Sequence, residues 1–71
     1  MITNGELIRK LRVQRGLTID QLGDVAGVSG SQIAFIETGK RNAGVVVLKY
    51  LADYFGCSMD ELVISNRPET A

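Results

Sequence analysis

The chain has no histidine, no tryptophan, one cysteine and one proline in 71 residues. Without histidine, the commonest side-chain nitrogen ligand for metals and the commonest general base are both missing. The lone Cys57 excludes an internal disulfide framework, and neither a metal site nor a cofactor is expected. No phosphate-cradling glycine loop, paired carboxylates or activated nucleophile can be found, so the chain is not expected to be an enzyme. It also lacks an apolar run approaching the ~20 residues that cross a bilayer. The N-terminus has no basic-then-apolar secretory pattern, so the expected setting is the cytoplasm, without a membrane partner. Excess charge of either sign is absent as well, since eight Lys and Arg face eight Asp and Glu.

What remains is an ordinary globular balance, 45% hydrophobic and 23% charged, in a length that suits one core. The charge is unevenly spread. Residues 1–42 carry Arg9, Lys10, Arg12, Arg15, Lys40 and Arg41 against four acids, a net of +2, and residues 43–71 carry a net of −2. A basic first half is what a phosphate-bearing partner needs, although net neutrality alone argues mildly against one.

Helix starts are marked by a Ser, Thr, Asp or Asn that accepts from an orphan backbone N–H, reinforced by Glu or Gln three positions on. Such boxes occur at Thr3/Glu6, Thr18/Gln21, Ser29/Gln32 and Ser58/Glu61, and Asn42 precedes a further helical stretch. Between them the apolar spacing is helical. The stripes are Leu7, Ile8 and Leu11; Leu22, Val25 and Ala26; Ile33 and Ile36; Val45, Leu48, Leu51, Ala52 and Phe55; and Met59, Leu62 and Val63. Gly16, Gly39 and Gly56 stand where helices should stop. The valines at 45–47 favour a strand by propensity, but a lone strand has no partner, so a helix is expected there. The prediction is a compact all-α domain of five helices over residues 1–64, followed by a flexible polar tail over 65–71.

The segment Ile19 to Glu37 has the makings of a helix-turn-helix. Two helices meeting at a tight turn need a small residue at the crossing, a glycine in the turn and apolar inner faces. Gly23, Gly27, and Leu22, Ala26, Val28, Ile33 and Ile36 supply these in turn. Together with Leu11-Arg12, Gly16-Leu17-Thr18, Ile36 through Asn42, Leu51-Ala52 and Phe55 through Leu62, this segment resembles the lambda-repressor/Cro-like helix-turn-helix family, also called the XRE family. The resemblance covers nearly all of Glu6 to Leu62.

That resemblance implies a third helix that enters the DNA major groove, a second that lies across the backbone, and dimers that read two half-sites about one helical turn apart. The residues assigned to DNA are Thr18, Ser29, Gly30, Ser31, Gln32, Ala34, Phe35, Lys40, Arg41 and Asn42. Thr18, Ser29 and the first amides of their helices offer uncharged donors to phosphates, and Lys40, Arg41 and Asn42 are placed to clamp the neighbouring strand. Where the family carries polar side chains, this chain has Ile19, Gly30, Ala34 and Phe35. Gln32 is then left to pair with adenine, and Ala34 or Phe35 to touch a thymine methyl, with DNA shape adding specificity. Arg12 and Glu37 match a pair that bridges the first and third helices in the family. The alternatives are a solvated loop for Lys40 and Arg41 and a partner interface for Phe35; Arg9, Lys10 and Arg15 are expected on the wet face of the first helix, with a phosphate contact by one of them as the alternative. Cys57 is expected to be a buried structural thiol.

The fourth helix shows a second apolar face, Val46, Tyr50 and Tyr54 with Val47 beside them, which a homodimer would cover. The expected function is therefore a repressor on a palindromic operator of double-stranded DNA. A protein antagonist, or a C-terminal domain beyond this segment, stays open as a further partner. The rival function is a protein-interaction module of the same fold with weakened or lost DNA binding.

Overall fold

A computed structural model describes residues 2–65, and its core is drawn from every helical segment in turn. Four α-helices form: α1 (Gly5–Gln14), α2 (Ile19–Ala26), α3 (Gly30–Glu37) and α4 (Val45–Phe55). A single 3-10 turn (Met59–Leu62) follows, and two short strands, β1 (Ile2–Thr3) and β2 (Val63–Ser65), pair antiparallel. Ile8, Leu22, Ile33, Ile36, Leu48, Leu51 and Leu62 are wholly buried, so each helix and the 3-10 turn contributes at least one anchor. Leu7, Leu11, Val25, Val28 and Met59 pack around them half-buried. No helix among the described residues is long and apolar enough to cross a membrane.

The structure corrects five helices to four. The Ser58/Glu61 box does form, with the Ser58 N–H donating to Glu61 Oε2 at 2.8 Å and the Glu61 N–H to Ser58 Oγ at 3.3 Å. The turn it starts ends at Leu62, because β-branched Val63 and Ile64 continue as a strand against β1. The partner strand is the N-terminal segment expected to start the first helix, so the fold is not purely helical. Thr3 sits in β1 and Asn4 caps α1, its Oδ1 accepting from the Leu7 N–H at 3.1 Å. Ser65, the first residue of the expected tail, pairs with Ile2; the rest of that tail, 66–71, lies outside the described residues.

Helix α4 differs from expectation in two ways. Its N-cap is Gly44, which has no side chain to cap with, and the Asn42 carboxamide oxygen instead accepts from the Thr3 N–H at 3.0 Å. Thr3 Oγ1 accepts in return from the Ala43 N–H at 2.9 Å, so the loop before α4 is sewn to β1. Starting the helix at Val45 then exchanges two valines. Val45 is 63% exposed where a core residue was expected, and Val47, expected outside, is buried at 9%.

Candidate nucleic-acid interface

The unit formed by α2 and α3 is built by close backbone approach. Thr18 and Gln21 make a full capping box at the start of α2, with bonds of 2.9 Å and 3.0 Å. Gly27 ends the helix at φ 74°, a left-handed conformation that glycine adopts without strain. The Val28 N–H then donates to the Gly23 carbonyl at 2.9 Å, folding the chain sharply into α3. A Cβ on Gly23 would lie 2.6 Å from the Val28 carbonyl oxygen, so the crossing needs a residue with no side chain. Ser29 caps α3 by accepting from the Gln32 N–H at 3.2 Å; Gln32 makes no reciprocal side-chain bond.

A buried ion pair fixes this unit to α1. Arg12 Nε donates to Glu37 Oε2 at 2.7 Å, Nη2 to Glu37 Oε1 at 3.2 Å, and Nη1 to the Leu17 carbonyl at 2.8 Å. The side chains are 12% and 4% exposed. One guanidinium thus holds the end of α3 and the loop entering α2 together. Gly5 makes a second close approach, where a Cβ would lie 2.7 Å from the Glu37 carbonyl oxygen.

On the outer side of the unit, Thr18, Ser29, Ser31 and Phe35 are exposed, and Gly30, Gln32 and Ala34 are half-buried. Gly30 does not open onto solvent as a free position. The Asp20 carboxylate and Ile19 Cγ2 occupy the space where its Cβ would be. Thr38, at the far end of α3, turns its hydroxyl inward and donates to the Ala34 carbonyl at 2.9 Å. Lys40 and Arg41 are exposed at the end of the same helix, and their backbone N–H groups donate to the Phe35 carbonyl at 2.9 Å and 3.2 Å. Asn42 is also exposed; its oxygen accepts from the Thr3 N–H, and its amino group is free for a ligand.

A groove runs between α1 and α3 beside this face. Val13, Ile19 and Ala34 give it an apolar lining, and Glu6, Arg9, Lys10, Gln14 and Thr38 border it. Arg9 and Lys10 therefore adjoin the α2–α3 unit; the expectation from sequence is a wet helical face, with a phosphate contact by one of them or Arg15 as the alternative. Arg15 was missed differently. Its guanidinium donates to the carbonyls of Tyr54 and Phe55 at 3.3 Å and 3.0 Å and lies 5.6 Å from both ring centroids. It closes the C-terminal end of α4, where a cation is favoured by the unpaired carbonyls. No signal local to α1 announces this, because its partners lie 39 and 40 residues away. Cys57 is half-buried against the core, and burial, then Glu61, pushes its thiol pKa up while Arg15 pulls it down.

Of the second apolar face on α4, Val46, Tyr50 and Tyr54 are exposed at 63%, 48% and 40%, whereas Val47 is buried.

Comparison with known proteins gives the same architecture. The profile of the helix-turn-helix family matches residues 8–62. The chain is 35% identical over 60 residues to the competence pilus inhibition repressor of Acinetobacter baylyi, covering 84% of this chain and 54% of that protein. It is 51% identical over 37 residues to the HTH-type transcriptional repressor RghR of Bacillus subtilis, covering 52% of this chain and 27% of RghR. The chain thus spans about half the length of the first relative and about a quarter of the second. Among solved structures, the P22 c2 repressor in complex with a synthetic operator superposes with a TM-score of 0.82 at 27% identity. That match covers 93% of this chain and 100% of the other.

Proposed function

The chain belongs to the lambda-repressor-like helix-turn-helix family, and on that footing we propose that it is a sequence-specific DNA-binding transcriptional regulator. In this reading it is a cytoplasmic repressor of phage or mobile-element type that binds a palindromic operator as a homodimer. The observation that carries it is the α2–α3 unit itself: two capped helices locked at a glycine crossing, with the outer side of α3 uncovered and Lys40 and Arg41 at its end. Such a unit sets α3 into a major groove, with phosphates met by the caps at Thr18 and Ser29 on one side and by Lys40 and Arg41 on the other. Asn42 contributes its amino group to the same strand. Repressor rather than activator follows the names of the relatives.

The homodimer reading is supported by Val45, Val46, Tyr50 and Tyr54, four large apolar side chains exposed on one short helix. Lys49 and Asp53, also exposed on α4, are of opposite sign one turn apart, so two copies of the helix packed antiparallel can exchange complementary charges. A second reading, a protein-interaction module of the same fold, is favoured by the apolar exposure of Phe35 and by zero net charge.

Selection from a random duplex library at low and at physiological salt tests the proposal. The expected result is an enriched palindrome with half-sites about one helical turn apart, held less tightly as salt rises. No enrichment at either salt sinks the operator reading and leaves the interaction module.

A further inference from the structure

The first residue of α3 has no side chain, and a neighbour stands in its place. A Cβ on Gly30 would collide with the Asp20 carboxylate and lie 3.3 Å from Ile19 Cγ2. The first turn of α2 therefore fills the position from which α3 would present its leading side chain. Asp20 is exposed there, and among the described residues its carboxylate accepts no hydrogen bond and joins no ion pair. Its acceptors are free for a ligand. The neighbouring polar groups are uncharged: Ser29 accepts from the Gln32 N–H and keeps its hydroxyl donor, and Ser31 is exposed beside it. The end of α3 that leads into a groove thus carries a carboxylate, and the far end carries Lys40 and Arg41. Both signs suit the dipole of the helix.

A carboxylate beside phosphates weakens binding to every duplex alike, so its use at this place is discrimination. An ionised carboxylate accepts hydrogen bonds and donates none. In the major groove guanine presents two acceptors, thymine an acceptor and a methyl, and adenine an acceptor beside its amino group; cytosine presents its N4 amino group alone. We propose that Asp20, carried by α2, is a specificity-determining residue that accepts from the N4 amino group of a cytosine in each half-site. The inference rests on the operator reading above and names one base that the site recognises.

The test repeats the duplex selection with the parent chain and with Asp20→Ala, an exposed substitution checked for folding by thermal melting. The parent should enrich a G·C pair at one position of each half-site by about tenfold over other pairs, the discrimination typical of one base contact. Asp20→Ala should bring that preference to within about twofold and leave the remaining positions as they were. Its affinity for random duplex should rise, since a charge of the phosphates' own sign is gone. In the enriched duplex, the cytosine of that pair is then replaced by 2-pyrimidinone, which lacks the N4 amino group. The replacement should cost the parent about tenfold more than it costs Asp20→Ala, a comparison in which any weakening of the duplex itself cancels. Equal losses in the two chains, or a base profile that Asp20→Ala leaves unaltered, overturn the inference and leave the operator reading standing. An A·T pair whose enrichment depends on Asp20 overturns the assignment to cytosine. A chain that enriches no duplex overturns both readings.

Discussion

Arg12 satisfies three acceptors at once, two on Glu37 and one on the Leu17 carbonyl, and almost none of that polar contact reaches water. Removing either charge strands the other in a dry site, a change that typically costs about 3–5 kcal/mol. Arg12→Met and Glu37→Leu should each lower the unfolding free energy read from urea denaturation by an amount of that order, and the double variant should recover much of the loss. Single variants within about 1 kcal/mol of the parent would mean that the pair is solvated in solution. Cys57 gives a second residue-scale expectation. Its thiol pKa is raised above the unfolded value, so its contribution to stability is full below the unfolded pKa and is lost as pH rises through the folded one. In mildly alkaline buffer a disulfide reagent should therefore react more slowly with the folded chain than with the urea-unfolded chain, and Glu61→Gln should hasten the folded reaction. Equal rates in all three would show that neither burial nor Glu61 acts on the thiol. Residues whose work is local were legible in the sequence: Thr18 and Ser29 cap as their spacing says. Residues whose partners are distant were not. Thr3, Asn42 and Arg15 act across 39 or 40 residues, a separation that no cap rule or helical period encodes.

At the scale of elements, the crossing of α2 and α3 depends on Gly23 more than on the turn that follows. Alanine at Gly23 gains up to ~1 kcal/mol of helix propensity but sets a methyl against the Val28 carbonyl at 2.6 Å, and overpacking of this kind costs about 1–3 kcal/mol. Gly27→Ala meets no atom within 4 Å and carries only the left-handed backbone penalty of about 1–2 kcal/mol. Gly23→Ala should thus both destabilise the fold and splay the two helices, whereas Gly27→Ala should destabilise it with the crossing intact. Thermal melts measure the first effect, and amide chemical shifts across residues 28–37 measure the second. A higher melting temperature for Gly23→Ala would remove the close-contact argument. The helices themselves were readable because four of the five apolar stripes repeat at helical spacing and face one core. The fifth was misread for a physical reason. Val63 satisfies a helical stripe as well as a strand, and only the presence of Ile2 and Thr3 alongside decides for β pairing. The exchange of Val45 and Val47 has the same origin, since in a run of three valines only the point at which the helix starts decides which one faces inward.

For the whole molecule, neutrality hides a division of labour, because the first 42 residues carry a net of +2 and contain the entire recognition unit. The acidic half holds α4, whose uncovered face is the proposed dimer contact. Replacing Tyr50 with glutamate, on that face, should halve the apparent mass in solution or abolish cooperative binding to a two-half-site duplex. Sedimentation and gel-shift titration would read these, and an unchanged dimer with unchanged cooperativity rejects the face as an interface. The electrostatic consequence can be put more quantitatively. Each phosphate neutralised by a lysine or arginine adds about −0.9 to the slope of log affinity against log salt. If Lys40 and Arg41 are anchors, each alanine variant should weaken binding equally on specific and random duplexes and reduce the slope by about one per protomer, so by about two in a dimer. Phe35→Ala should do the reverse, with the slope kept and discrimination lost. A parent slope near zero would put phosphate contact out of account, and with it the operator. The rival interaction module predicts that outcome, because an apolar contact through Phe35 and the face of α4 would be nearly blind to salt.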